Sequence, residues 1–133
     1  MATILVVDDE PDIRALVQLN LELDGHRVIT ASNGAEALEL IADEVPDVML
    51  LDLMMPEVDG FEFLQRMRGD EKWLDVPVVV LTAKELTESE RTFLAERTIL
   101  VLSKDAQPIG SLGAALSAIA RRRAGRVHEA RPQ

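Results

Sequence analysis

The chain reads as an α/β domain built on a doubly wound, five-stranded, mostly parallel sheet, and three observations predict it. Short, continuous apolar runs recur along the sequence, helical stretches with start signals lie between them, and 133 residues suit one such unit. A strand covered on both faces is apolar at every position, whereas a half-exposed strand alternates. A parallel neighbour requires a right-handed crossover, so strand and helix in regular alternation point to a parallel sheet. At this length the common strand order is 2-1-3-4-5.

Each element has its own signal. Ile4-Leu5-Val6-Val7 is the first strand, and Pro11, following Asp9-Glu10, suits the first helical position, where a missing N–H costs nothing. Arg27 to Ala31 is a weaker second strand, and Asn33 with Glu36 fits a capping box for the helix after it. Val48-Met49-Leu50-Leu51 is the third strand, with Asp59 placed to cap a helix from Gly60. Trp73, in the loop before the fourth strand Val78-Val79-Val80-Leu81, reads as a packing residue, as do Met54 and Met55. Thr87 with Glu90 repeats the capping box, and Ile99-Leu100-Val101-Leu102 is the fifth strand, expected to be as buried as the others. Pro108 opens the last helix, in which Ile109, Leu112, Leu116 and Ile119 share a face. Gly125 and Pro132 predict that order ends near Arg123, giving a domain over residues 1–122 and a basic, disordered tail over 123–133.

Composition narrows the function classes. Hydrophobic residues at 47% and charged residues at 29% support a packed core. A net charge of −10 argues against a free-standing nucleic-acid binder, so no direct DNA contact is expected. The absence of Cys excludes disulfides, thiolate metal sites and cysteine nucleophiles, and fits a reducing compartment. The N-terminus lacks the basic start of a signal peptide, and no apolar run approaches the ~18 residues of a membrane span. These features predict a cytoplasmic protein with no membrane partner. Five of the 14 cations fall in the last thirteen residues beside one of the 24 acids. A solvated helix end and a basic handle for a partner both accommodate that cluster.

A doubly wound sheet places its chemistry at the carboxyl ends of the strands, beside the switch point between strands 1 and 3. Those ends carry Asp8-Asp9, Asp52, Thr82 and Lys104. Taken singly, the acids could cap a helix or close a turn, the threonine could favour a strand, and the lysine could be a surface residue. Together they bring three mutually repelling carboxylates to one edge, an arrangement that a hard divalent cation relieves. Mg²⁺ binds through one or two carboxylates, water and a phosphate oxygen. Lys104 and Thr82 suit an anion beyond the metal, and Asp52 is placed as an in-line nucleophile. The inferred chemistry is Mg²⁺-assisted phosphoryl transfer onto a carboxylate.

Val6-Val7-Asp8-Asp9-Glu10, Asp52-Leu53-Met54-Met55-Pro56 with Asp59-Gly60, Thr82-Ala83 and Lys104 resemble the response-regulator receiver domain of two-component signalling. The likeness covers roughly residues 3–122, with 30 residues from Asp52 to Thr82 and 22 more to Lys104. It implies a flavodoxin-like (βα)5 fold and a phosphoacceptor that promotes only its own phosphorylation and dephosphorylation. Asp52 would take a phosphoryl group from a histidine kinase or phosphotransfer protein. Asp9 would bind Mg²⁺ directly, Asp8 mainly through water, and Met54 through its backbone carbonyl. Thr82 and Lys104 would contact the phosphoryl oxygens, and the face made by the fourth helix, fifth strand and fifth helix would be read by a downstream protein.

The sequence departs from the family on that face. Val101 stands where many members have an aromatic residue, Asp105 follows the lysine in place of Pro, and Arg97-Thr98 replaces a Gly-Ala pair. The stretch from Thr87 to Thr98 looks more like receivers at the end of hybrid sensor kinases than those of DNA-binding regulators. Two other readings stand beside the phosphoacceptor: an interaction module that uses no phosphate, and a phosphoesterase, which lacks a second acid where Met54 stands. Lys84 flanks the predicted pocket. His26 and His128 have no ligand-spaced partners and are read as neither metal ligands nor phosphoryl carriers.

Overall fold

Successive residues of a strand point to opposite faces of a sheet, and here helices cover both faces. The computed structural model describes the backbone of residues 2–105 and 109–130, and side chains within 2–105 and 112–123. The strands are β1 (Thr3–Val7), β2 (Arg27–Ala31), β3 (Val48–Leu51), β4 (Val78–Thr82) and β5 (Leu100–Ser103). They form one parallel sheet in the order β2-β1-β3-β4-β5, as predicted. The helices are α1 (Pro11–Leu23), α2 (Gly34–Asp43), α3 (Gly60–Arg68), α4 (Glu88–Arg97) and α5 (Ile109–Ala130), with a single 3-10 turn at Glu71–Trp73. Among the described residues, no helix is long and apolar enough to cross a membrane.

The unbroken apolar runs follow from this layering. Leu5, Val7, Met49, Leu51, Val78 and Val80 meet α2, α3 and α4 through Ile41, Phe63, Leu64, Met67 and Leu94. The alternate set, Ile4, Val6, Val48, Leu50, Val79 and Leu81, meets α1 and α5 through Val17, Leu21, Leu112, Leu116 and Ala120. Truncating such a side chain to Ala costs about 2–5 kcal/mol. Trp73 packs against the first cluster and its indole N–H donates to the Ile41 carbonyl at 3.2 Å, which supports the packing reading.

Four local expectations need correction or refinement. β5 is not buried like β1, β3 and β4: Leu100 and Val101 are 39% and 38% exposed, because β5 is an edge strand, and on the face that Val101 shares with Val80, α4 buries only Leu94. The helical backbone of α5 continues past Arg123 to Ala130, so Gly125 does not end it. A lone glycine costs a helix only about 1 kcal/mol, which flanking turns can offset. Asn33 accepts from the Glu36 N–H at 2.8 Å, but the Glu36 carboxylate accepts from Ser32 rather than from Asn33, so the box is displaced by one residue. Met54 is 55% exposed, while Met55 packs as expected. The Thr87–Glu90 box forms in both directions, Pro11 starts α1 and Asp59 caps α3. Pro108, and the side chains of Ile109 and His128, lie outside the described residues.

Candidate functional site

Register brings the site together. Val7 pairs with Leu51 and Leu51 with Val80, so Asp8 and Asp52 leave adjacent strands at the same level. Thr82 pairs with Ser103, which puts Lys104 one residue beyond the end of β4. The ends are fastened by backbone bonds: Asp52 N–H donates to the Val7 carbonyl at 2.9 Å, Asp8 N–H to Ala31 at 3.1 Å, and Lys104 N–H to Thr82 at 2.9 Å. β1 has β2 on one side and β3 on the other, so this edge is the switch point, where a crevice opens between the diverging crossovers.

The segment after β3 is shaped by close backbone approach. Gly60 N–H donates to the Leu53 carbonyl at 3.1 Å, and a Cβ at Gly60 would stand 2.7 Å from the Asp52 carbonyl oxygen and from Leu53 Cα. Only a residue without Cβ lets α3 begin this near the Asp52 backbone. Asp59 accepts from Glu62 N–H at 2.9 Å and closes the first turn of α3.

Asp8, Asp52 and Thr82 are buried, and the Lys104 side chain is 9% exposed. Lys104 Nζ lies 3.1 Å from Asp8 Oδ2 and 3.1 Å from Asp52 Oδ2, and donates also to Glu10 Oε1. Asp52 Oδ1 accepts from Met54 N–H at 3.2 Å, and Asp8 Oδ1 from Glu10 N–H at 2.8 Å. Thr82 Oγ1 accepts from Lys84 N–H at 3.1 Å, while the Lys84 ammonium pairs with Glu90 at 3.5 Å.

Two or three anions against one cation, out of water, leave the cluster short of positive charge. Burial drives the Asp52 carboxyl from 3.8 up to about 6; the Met54 N–H opposes this, the Asp8 charge adds to it, and Lys104 opposes it. Burial likewise raises Asp8, against the Glu10 N–H and Lys104. At Lys104, burial pulls downward, but hydrogen bonds to Glu10 and Asp8 and the charges of Asp8 and Asp52 outweigh it and hold the ammonium well above its usual range.

Among the described residues, the acids whose oxygens come within 4.8 Å of one another are Asp8, Glu10 and Asp52. Asp9 is exposed and outside that group. Glu10 is the residue the sequence reading passed over, having been taken as part of the approach to α1. Its position before Pro11 marks it as the residue just before the helix, and its side chain, which makes no cap hydrogen bond, pairs with Lys104 instead. Three hard oxygen donors in such a group fit a divalent cation of the Mg²⁺ or Ca²⁺ type. His26, by contrast, is held by Ser117 at 3.1 Å on the α1–α5 side and takes no part.

A match to the response regulator receiver domain family spans residues 4–114. The chain is 47% identical over 83 residues to the DNA-binding dual master transcriptional regulator RpaA of Synechocystis, covering 62% of this chain and 34% of that protein. It spans about a third of the length of the curated regulators it matches first, at 37%, 34% and 30%. Among solved structures it is 39% identical to the N-terminal domain of a response regulator receiver protein from Methanoculleus marisnigri, with a TM-score of 0.72 over 90% of this chain and 94% of that one. It is 31% identical to the response regulator protein TrrA of Thermotoga maritima in complex with Mg(2+)-BeF, with a TM-score of 0.75 over 90% and 99% of the two chains. With the acidic crevice at the switch point and the strand order already in place, these matches settle the family: the chain belongs to the response regulator receiver domains of two-component signalling.

Proposed function

We propose that Asp52 accepts a phosphoryl group from the phosphohistidine of a histidine kinase or phosphotransfer protein, and that Asp8, Asp9, Asp52 and the Met54 carbonyl hold the Mg²⁺ that the transfer requires. The observation that carries this is the buried Asp52 carboxylate, flanked by a second buried acid and an ammonium 3.1 Å away at the switch point. A carboxylate oxygen of Asp52 forms the new O–P bond as the P–N bond breaks, the donor's imidazole leaving with the electron pair of the broken bond. When bound, the metal supplies charge neutralisation between the acids and the incoming phosphoryl oxygens. Lys104 already sits against Asp52 and would keep its charge throughout, pairing with a phosphoryl oxygen in place of a carboxylate. Thr82 presents a hydroxyl from the end of β4, with its acceptor side engaged by Lys84 N–H and its own proton left to donate.

Two surfaces support signalling through protein contacts. Leu16, Leu19 and Leu23 are exposed at helical spacing on α1, which begins directly after Glu10, so an apolar stripe adjoins the mouth of the crevice and suits a helical phosphodonor. A groove of about 450 Å³ runs from Thr82 between Lys84, Arg91 and Val101 to Ser103. Phosphate at Asp52 biases a two-state equilibrium on the surface of α4, β5 and α5, and this groove links that surface to the Thr82 hydroxyl. Val101 stands in its wall, at the position where many members of the family carry an aromatic residue.

The test is labelling by a small phosphodonor such as acetyl phosphate, followed by intact mass. One phosphoryl group per chain is expected with Mg²⁺ and none with EDTA or in Asp52→Asn. Stoichiometric labelling of Asp52→Asn would remove Asp52 as the acceptor. An unlabelled wild type whose partner affinity ignores beryllofluoride would favour a phosphate-independent module.

A further inference from the structure

The amino end of the sheet, away from Asp52, carries a second groove, of about 810 Å³, that the phosphoryl chemistry does not use. It lies where the loop before β4, the end of α4 and the last described turns of α5 meet. Its wall is apolar and open to water: Ile99 is 56% exposed and Leu74 is 52% exposed. Arg97, Arg122 and Arg123 stand around it with two acids, Asp75 and Glu96, so the rim is basic on balance. Single exposed apolar residues are ordinary on a protein surface, but two such residues framed by three guanidinium groups are the composition of a docking site.

The groove is also held rigidly. Arg68 donates to the carbonyls of Trp73 at 2.6 Å, Val76 at 2.8 Å and Arg97 at 2.8 Å. It ties the loop before β4 to the end of α4, and its guanidinium is thereby engaged by the protein itself. Arg97 lies 3.8 Å over the Phe93 ring and 3.9 Å from Glu96. Arg121 pairs with Asp24 at 3.1 Å on another side of α5. Arg122 and Arg123 form no ion pair among the described residues and remain for a ligand.

The charge of the whole chain decides what that ligand is. At −10 net, the molecule repels polyanions almost everywhere, and a duplex long enough to lie across several faces meets mostly negative surface. A short acidic segment can reach this one basic rim alone, and the surrounding repulsion then selects its orientation. We propose that this groove docks an acidic segment of a partner protein, its carboxylates on Arg122 and Arg123 and an apolar side chain against Ile99 and Leu74.

The test is fluorescence anisotropy on the full chain with three labelled probes: a short Glu/Leu peptide, the same peptide with Gln for every Glu, and one with Ser for every Leu. A duplex DNA of matched charge is the fourth probe. The Glu/Leu peptide is expected to bind at least about tenfold more tightly than either altered peptide or the DNA, and more weakly as salt rises. Both Arg122→Glu with Arg123→Glu and, separately, Ile99→Ser should weaken it about tenfold; these residues are at the surface, and unchanged acetyl phosphate labelling will show that the variants are folded. The proposal is overturned if the peptide fails to bind, if the Ile99 variant binds as well as wild type, if DNA binds more tightly, or if the signal follows self-association of the chain.

Discussion

Lys104 meets Asp8, Glu10 and Asp52 at once, and a single ammonium cannot neutralise them all. Two consequences can be measured residue by residue. The first concerns the metal. Asp9 is exposed and leads out of the strand, whereas Glu10 is already bonded to Lys104. If Asp9 is the direct ligand, Asp9→Asn weakens Mg²⁺ binding about tenfold or more, while Glu10→Gln leaves it within a few-fold; titration of the Mg²⁺-induced amide shifts checks this. The reverse ordering would move the metal onto Glu10. The second concerns Asp52 without metal. Its carboxyl, raised from 3.8 to about 6 by burial first, binds protons more tightly folded than unfolded, so its contribution to stability is complete below pH 3.8 and is lost as pH rises through about 6. In EDTA, the wild type should therefore lose about 2–3 kcal/mol relative to Asp52→Asn across that window, as read by urea unfolding, and Mg²⁺ should restore it. Asp8, Asp52, Thr82 and Lys104 were legible in the sequence because strand ends converge by topology alone. Glu10 was not, because the direction of a side chain just before a helix depends on how the turn is made.

At the level of elements, the segment joining β3 to α3 sets the position of Asp52. Gly60→Ala would force a Cβ to within 2.7 Å of the Asp52 carbonyl oxygen, so either α3 or the acceptor's backbone must move. The expected result is a loss of about 2 kcal/mol or more and slower acetyl phosphate labelling, with Gly60→Ser no better. Unchanged labelling in a destabilised variant would show that α3 gives way and Asp52 does not. The strands were legible because β1, β3 and β4 sit between two helical layers and therefore have no polar position to confuse the period. β5 reads the same way in sequence, yet Leu100 on the α5 face and Val101 on the α4 face are open to water, because a run of apolar letters does not say whether a strand lies at the edge of its sheet. On the α4 face the cover is thin as well, since α4 buries Leu94 and packs Phe93 only in part. The extension of α5 past Gly125 was hidden for a related reason: helix ends follow packing and neighbouring turns as much as single residues.

Across the whole molecule, the two ends of the sheet carry buried titratable groups whose demands on pH are opposite. At the carboxyl end is Asp52. At the amino end, just before β2, His26 is 7% exposed, with Nε2 3.1 Å from Ser117 Oγ and a buried Nδ1 that has no partner. Burial, then the Arg121 charge, lower its pKa from 6.5, against weaker pulls from Asp24 and Asp47. A base depressed in the folded state favours unfolding once the unfolded chain can take the proton. Its contribution is therefore present above pH 6.5 and is lost as pH falls. Below about pH 6, acidification relieves Asp52 while it strains His26, and in metal-free protein the two slopes partly cancel. Removing either group should uncover the other. In EDTA, Asp52→Asn is expected to lose stability as pH falls below 6.5, and His26→Gln to gain it as pH falls through about 6. Because the two groups stand at opposite ends of the strands with no shared partner, their effects should add, and the double variant should keep only the slope left by the other shifted acids, Asp8 among them. The slope, and not the absolute stability, carries the argument, so any general cost of replacing a buried histidine drops out. Parallel slopes in the two single variants would mean that the ends of the sheet do not titrate independently.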